Sequence, residues 1–516
     1  MAEQAVRYST ARIWLISVTV MLATYVSVID LTIVNVAMPQ MMGTFGVTLD
    51  AITWVAVAYS IAEIVMVTMA SWFTKLLGRK RFYLYCLGLF TVASVLSGLA
   101  RSLEMMILTR LLQGLGGGAL IPMAQAIMLE IFPAEKRGTA MAVFMMGVVL
   151  APAMGPVLGG WLTDAYGWPW IFYINIPIGI ISVLLVLAFL PEPSYDERGL
   201  ARIDVVGIVL LVVALTTMQL FLERGEREDW FESTFIIYMA VLAAVSLIAL
   251  VVWELWVEEP VVNLRVLKNL PFVGGASMGL FFGLTTFGSI FIIPLFLQQV
   301  RGYTVLDSGI IQMPRMLIVV LVAPIAGKFY GRLDSRLLAF IGTAIMMAGY
   351  LDMSRFTLEV GWERMLPGLL MTGAGMAFMF SVLSAATMQT IPAHLLIAAS
   401  GLFTLSRRIG GNVGYAFVAS QVTHRATFHR ARLVDHVTPY DADTANTLDG
   451  LTGSLTARGL PPGTAESSAV QLLDSVVDRQ ATMMAYNDVF WMMGMMFVFG
   501  LPFLLLLGSG KTKREG

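Results

Sequence analysis

Apolar runs of about twenty residues, separated by charged or Pro- and Gly-rich breaks, recur from one end of the chain to the other. A run of about 20 apolar residues makes a helix long enough to cross the hydrocarbon of a bilayer. The pattern predicts fourteen helices, near 13–36, 52–72, 83–101, 105–130, 139–162, 168–190, 203–222, 234–256, 272–299, 309–330, 336–353, 365–390, 398–420 and 488–508. Between the last two lies the one long polar stretch, 421–487, rich in Ala, Thr, Ser, Asp and Arg. The expected architecture is an all-α polytopic membrane protein.

Composition supports this setting. Of 516 residues, 58% are hydrophobic and 13% charged, against roughly 25% charged in soluble chains. The net charge of −1 singles out no charged partner, and no nucleic acid is expected. The single cysteine, Cys86, rules out an intrachain disulfide framework. Met1 to Arg12 is polar and lacks a small-residue cleavage site behind a short apolar core, so the first run reads as a retained helix. Basic residues set the orientation, because short cytoplasmic loops retain Lys and Arg. Lys75, Arg79, Lys80 and Arg81 follow the second run, and Lys136 and Arg137 the fourth. Arg198 and Arg202 follow the sixth, Arg265 and Lys268 the eighth, and Lys328, Arg332 and Arg336 the tenth. All fall on one side, which places both termini in the cytoplasm.

Two halves are visible. Gly46-Val-Thr-Leu-Asp50 after the first run is echoed by Gly302-Tyr-Thr-Val-Leu-Asp307 after the ninth. Likewise Trp72-Phe-Thr-Lys-Leu-Leu-Gly-Arg-Lys-Arg81 is echoed by Gly327-Lys-Phe-Tyr-Gly-Arg-Leu-Asp-Ser-Arg336. The expected organisation is a cytoplasmic segment 1–12, a six-helix bundle 13–190, an inserted helix pair with linkers 191–271, a second six-helix bundle 272–508 that contains the outer loop 421–487, and a tail 509–516. Such parallel repeats belong to rocking transporters, whose substrate site lies near the midplane between the halves.

One carboxylate stands out. Asp30-Leu-Thr-Ile-Val-Asn-Val-Ala-Met-Pro39 places it inside an apolar run, where an ionisable group is a functional hypothesis by default. This motif, Arg110-Leu-Leu-Gln-Gly-Leu-Gly-Gly-Gly118, and the series from Gly147 through Gly155-Pro156 to Gly159-Gly160-Trp161 resemble the signatures of major facilitator drug:proton antiporters with fourteen spans, the group of EmrB, FarB and QacA. Trp168-Pro-Trp-Ile-Phe-Tyr-Ile-Asn-Ile-Pro-Ile-Gly179 strengthens the match, and Arg479-Gln-Ala-Thr-Met-Met-Ala-Tyr-Asn-Asp-Val-Phe490 is similar to the EmrB/FarB branch, which exports hydrophobic compounds from Gram-negative bacteria. Two departures stand beside it. Ser71 and Lys75 occupy positions where the superfamily loop carries Gly and Asp, and Pro169 replaces an Arg of the Trp-x-Trp motif. The first puts the usual loop charge network, with Gly78, Arg79 and Lys80, in question. The resemblance implies a multi-pass protein of the bacterial inner membrane, driven by the proton gradient without a cofactor, with a periplasmic adaptor and an outer-membrane channel as candidate partners. The loop 421–487 is the candidate contact, and a helical hairpin without a partner is the alternative.

Depth arithmetic brings the candidates together. Asp30 lies about six residues from the outer end of its run and Arg110 about five from that of its own, so at 1.5 Å per residue the two share a level. Burial and a close guanidinium act on a carboxylate's proton affinity in opposite senses. Asp30 is therefore expected to take up and release a proton while Arg110 tunes it; a fixed helix-pinning hydrogen bond is the alternative. Glu63, mid-run, is a second carboxylate for a proton or for cation recognition, or else a satisfied interhelical contact. Gln113, one turn from Arg110, could orient it, and Gly114 belongs to the same motif. Gly147, Gly155, Gly159 and Gly160 permit close approach, and Pro156 removes a backbone donor and favours a bend; the resemblance ties this motif to antiport and gating. Gly116, Gly117 and Gly118 read as packing positions.

Other features are plainer. Glu130 and Glu254, near cytoplasmic ends, need only snorkel. The 34 methionines and many aromatics suit an adaptable cavity for lipophilic ligands, although most simply pack or face lipid. His424 and His429 lack a third metal ligand, so no metal is expected. Gly508-Ser-Gly-Lys-Thr512 imitates a phosphate loop, but Leu505 stands where the first glycine is required and only four residues follow. The basic tail Lys511, Lys513 and Arg514 reads as an anchor. No enzyme activity is expected. Three functions remain: an exporter of lipophilic toxic compounds, a carrier of a specific metabolite, fatty acid or siderophore, and a non-transporting receptor or scaffold.

Overall fold

The computed structural model describes residues 9–192, 203–438 and 440–508. Arg198, Arg202, the phosphate-loop imitation from Ser509 onward and the basic tail lie outside the described residues. Helices run as α1 Thr10–Phe45, α2 Leu49–Leu77, α3 Arg79–Gly98, α4 Leu103–Gly118, α5 Leu120–Ile131, α6 Arg137–Tyr166, α7 Trp170–Tyr173, α8 Asn175–Phe189, α9 Val205–Arg224 and α10 Thr234–Trp256. They continue as α11 Leu270–Gln299, α12 Val305–Phe329, α13 Ser335–Met353, α14 Trp362–Thr387, α15 Leu396–Val434, α16 Ala442–Ala457 and α17 Pro462–Leu504. Among the described residues, twelve helices are long and apolar enough to cross a membrane. The 30-residue α6 and the 39-residue α15 pack among them, so helices stand at all fourteen expected runs.

The echoed segments fold alike. Gly46 and Gly302 take positive φ of 64° and 69°, a backbone conformation glycine adopts without penalty. Each precedes a threonine that caps the next helix: Thr48 accepts from Ala51 N, and Thr304 from Asp307 N at 3.1 Å. Asp50 and Asp307 then sit in the first turns, where a negative charge suits the helix dipole. Gly78 and Gly331, at φ 83° and 84°, end the corresponding hairpins.

Packing repeats as well. In the first half α1 packs on α6 and α8, α2 and α3 on α4, and α3 on α8. In the second, α11 packs on α15 and α17, α12 and α13 on α14, and α13 on α17. These are the same pairings in the same order, so the two halves are two six-helix bundles. The inserted helices α9 and α10 pack on each other, and α9 touches α2 and α15. Most of α10 is exposed, with Val241, Val245, Ile248 and Val252 outward, as a lipid-facing helix requires.

The halves meet where α6 packs on α12 and α14, and where α15 packs on α2 and α5. At the end bearing Lys136 and Lys328 they close backbone to backbone: a Cβ added at Gly327 would lie 2.8 Å from Gly138 O, and one at Gly138 would lie 2.4 Å from Tyr330 Cβ. Phe144 of α6 stacks on Phe380 of α14 just inside this seam, at 6.1 Å and 13°.

Several boundaries differ from the sequence reading. The span expected at 105–130 divides at Ala119 into α4 and α5, and the span expected at 168–190 divides at Ile174 into α7 and α8. The largest differences lie around the polar stretch: α15 continues to Val434, and α17 starts at Pro462, so 421–487 is largely helical. Hydropathy marks where the apolar segment stops, and the backbone hydrogen-bond ladder continues past it into water. Glu254 is also misread as a snorkelling residue. It is 2% exposed and accepts from Val262 N at 3.2 Å.

Candidate functional site

Asp30 sits midway along α1 with no exposed surface, and its carboxylate is enclosed by three donors. Arg110 Nη1 of α4 donates to Oδ2 at 2.5 Å. Gln113 Nε2 and Asn175 Nδ2 donate to Oδ1 at 2.9 and 3.0 Å. Both amides also reach Ser94 Oγ of α3, at 2.7 and 3.3 Å. Arg110 is held in turn: Nη1 donates to Gln113 Oε1 at 2.6 Å, Nε donates to Val55 O at 3.2 Å, and the guanidinium lies 4.3 Å from the Tyr59 ring centroid. Five helices, α1, α2, α3, α4 and α8, thus converge on one buried ion pair. A charged pair this deep persists only when its remaining hydrogen-bonding capacity is met, and here the amides meet it.

The expected pairing of Asp30, Arg110 and Gln113 is therefore present. Asn175 and Ser94 were not selected from the sequence. Asn175 lies inside the Trp168 to Gly179 motif, and an amide within an apolar run was the available signal; Ser94 gave none.

Glycines let these helices approach. A Cβ at Gly114 would lie 2.4 Å from Tyr59 O, and one at Gly117 would lie 2.5 Å from Tyr59 Oη. Gly116 abuts Phe90 and Cys86, and Gly118 abuts Glu63 O, as packing positions should. On α6, Gly147, Gly155 and Gly159 face Met21, Thr32 and Ile33 of α1 so closely that an added Cβ would clash with each. Gly160 differs from its expected role, since its nearest neighbour, Val36 Cγ1, is 3.9 Å away. It lies off the contact face. α6 runs unbroken past position 156; the Pro156 side chain lies outside the described residues.

Glu63 belongs to a different cluster. It is 2% exposed on α2, and its Oε1 accepts from Arg408 Nη2 of α15 at 2.5 Å. This ion pair joins the two halves. Arg407 is beside it, 7% exposed, with its guanidinium 4.9 Å from the Phe380 centroid and its Nε lacking a hydrogen-bond partner among the described residues. One turn further along α15, Asn412 Nδ2 donates to Gln219 Oε1 of α9 at 2.5 Å. Sequence reasoning missed both arginines, although two adjacent cations inside an apolar run were the available signal.

At the end of α2, Gly78 makes the turn and its neighbours cross to other helices. Arg79, 2% exposed, donates to Glu130 Oε2 at 2.5 Å and to Pro191 O at 3.0 Å, while Lys80 donates to Leu187 O at 2.7 Å. Glu130 is thus a partner of Arg79 as well as a residue near a helix end. Lys75, at the position that departs from the superfamily loop, lies 3.5 Å from Glu259 in the connection after α10.

Beyond the apolar stretch, α15 and α17 run side by side. Arg430 bonds Asp478 and, at 2.8 Å, Asp474; His429 Nε2 lies 2.8 Å from Asp488 Oδ2. Among the described residues no group of three metal-ligating side chains forms.

Two six-helix bundles, the first closed around an intramembrane ion pair and joined to the second by another pair across the seam, define a secondary transporter fold. The chain belongs to the Major Facilitator Superfamily, whose model matches residues 20–415. It is 33% identical over 506 residues to the multidrug export protein EmrB of Escherichia coli K12, covering 96% of this chain and 94% of that protein. It is 34% identical over 490 residues to EmrB of Haemophilus influenzae, covering 94% and 93%, and 31% identical over 487 residues to the fatty acid resistance protein FarB of Neisseria gonorrhoeae, covering 94% of each. The fold is shared with the proton:xylose symporter XylE, at TM-score 0.62 and 13% identity over 98% of both chains. It is also shared with the human organic anion transporter MFSD10, at 0.58 and 13% over 94% and 99%.

Proposed function

We propose that this protein is a proton-coupled exporter of lipophilic toxic compounds, working by alternating access in the inner membrane with both termini cytoplasmic. The bundles 13–190 and 272–508 rock about a midplane site, and the pair within 191–271 rides on them. The observation that carries the reading is Asp30, a carboxylate without exposed surface whose charge is balanced by Arg110 and two amides. Protonation removes the charge that Arg110 balances, so the pair weakens and the helices meeting there are freed to rearrange. Deprotonation restores it. Gln113 and Asn175 hold the carboxylate in register, and Gly147, Gly155 and Gly159 let α6 slide along α1. Gly78, Arg79, Lys80 and Glu130 tie α3 to α5 and α8 within the first bundle, at the end where the halves close. Export from the multidrug relatives named above supports the direction of transport.

The energy suffices. One proton supplies about 1.4 kcal/mol per pH unit and about 2.3 kcal/mol per 100 mV. Together about 4 kcal/mol sustains roughly a thousandfold gradient of a neutral compound. No cofactor enters the cycle. The outer parts of α15 and α17, with α16, are the surface for a periplasmic adaptor that leads to an outer-membrane channel.

The test is proton movement in proteoliposomes under an imposed pH gradient, comparing the wild type with Asp30→Asn. Proton release on adding a lipophilic compound, lost in the variant while the protein stays monodisperse, supports the reading. Unchanged release in Asp30→Asn assigns the coupling elsewhere, with Glu63 next.

A further inference from the structure

Between Asp307 in its first turn and Lys328 in its last, α12 carries a single charge, Arg315. The side chain is 1% exposed. Its Nη2 donates to Ser289 Oγ of α11 at 2.6 Å, while Nε and Nη1 lack a hydrogen-bond partner among the described residues. The carboxylates of the elements packed around it are committed elsewhere. α11 has none. Asp307 accepts from Thr304 two turns away, and Asp352 of α13 holds Arg364 of α14 through both oxygens at 2.8 Å. Glu363 stands in the exposed first turn of α14, and the charges of α6 stand at its ends. A guanidinium cannot shed its proton, so burial at this place demands a counter-charge.

The two bundles differ here at matched positions. The shift of 256 that carries Gly46 to Gly302 also carries Tyr59 to Arg315 and Asp30 to Thr286. The packing agrees: a Cβ at Gly114 would clash with Tyr59 O, just as one at Gly373 would clash with Arg315 O. The shift between those two glycines carries Arg110 to Leu369. Each bundle therefore buries a guanidinium in its core, but where the first supplies a carboxylate on α1, the second has the hydroxyls of Thr286 and Ser289 on α11. Thr286 Oγ1 is itself without a partner among the described residues. Space limits what can supply the charge. One turn toward the α11–α12 connection, Ile293, Ile311, Met353 and Leu369 help to enclose an apolar void of about 10 Å³, room for about one water and not for an organic anion.

We propose that the second bundle holds a monatomic inorganic anion, chloride, on Nε and Nη1 of Arg315, with Ser289 fixing the guanidinium through Nη2. The ion brings from solution the charge that Asp30 brings from the chain. The stability of the second bundle then depends on halide, whatever compound the transporter carries.

The test uses the full chain purified in detergent, with chloride exchanged for gluconate at constant ionic strength and pH. Radiolabelled chloride is expected to bind saturably, one ion per chain, and to be displaced by bromide but not by benzoate. The melting temperature should rise over the same range of chloride concentration. Arg315→Gln weakens the binding by about tenfold or more and leaves the melting temperature indifferent to chloride. Ser289→Asp keeps the guanidinium, gives it a carboxylate, and should make the protein equally indifferent; Arg315→Lys retains a weaker site. If Arg315→Gln does not fold, the displacement series on the wild type and the Ser289→Asp protein decide. Absence of saturable binding to the wild type, displacement by benzoate as effective as by bromide, or binding undiminished in Arg315→Gln overturns the proposal.

Discussion

Neutralising one member of the Asp30–Arg110 pair should have unequal consequences, because the two groups escape an unbalanced charge differently. Asp30 has no exposed surface and Arg110 is 1% exposed, so water compensates neither. In Asp30→Asn the guanidinium keeps its proton, since it cannot lose one in a protein. It retains Gln113 Oε1, Val55 O and the face of Tyr59 as partners, but no charge opposes it. Breaking a buried pair from one side costs about 3–5 kcal/mol; with these contacts kept, about 3 kcal/mol is expected. In Arg110→Gln the carboxylate can bind a proton and keeps both amide donors, so the loss should be about 1–2 kcal/mol, near that of a charged hydrogen bond. The double variant buries no charge and should fall at least 1.5 kcal/mol short of the sum of the singles, a coupling within the range for residues in contact. The assay is reversible unfolding in mixed micelles, followed by tryptophan fluorescence. Additivity within about 0.5 kcal/mol, or an Asp30→Asn protein as stable as the wild type, would refute the pair and its asymmetry.

Other outcomes follow from the same geometry. Gly138→Leu or Gly327→Val fills the space in which α6 meets α12, so either should insert normally yet abolish transport, measured as lost flux with unchanged membrane yield. Gly155→Leu should impair transport more than Gly160→Leu, because Thr32 Oγ1 lies 2.1 Å from the one Cβ position and the other meets only Val36 at 3.9 Å; equal effects would place α6 wrongly. Arg408→Gln leaves Glu63 unpaired at the seam and should loosen it, read as faster tryptic cleavage between the halves. Cys86 is 3% exposed and should react with N-ethylmaleimide only after denaturation.

Much of this could be read along the chain, because a bilayer demands long apolar helices and leaves few alternatives. The common depth of Asp30 and Arg110 followed from rise per residue alone, and the echo of Gly46 and Thr48 by Gly302 and Thr304 announced a repeat later seen as matched φ angles and caps. What escaped was non-local or lay where a rule changes. Glu63 and Arg408 are 345 positions apart, and no local pattern pairs them. Gly160 fits the spacing of its motif, but the azimuth of α6 turns it from α1. The ends of α15 and α17 were placed at the edge of the hydrocarbon, which limits hydropathy and has no hold on the helix itself.

Those two overlong helices have a mechanical consequence. The 43 residues of α17 span about 65 Å, against a hydrocarbon core of about 30 Å, and the Arg430 bonds to Asp474 and Asp478 brace its projecting part against α15. A braced rod rooted in the second bundle is a lever. A small tilt of that bundle within the lipid becomes a wide arc at the tip, so whatever grips the tip can feel the stroke of the transporter, or resist it, without touching the path through which the cargo moves.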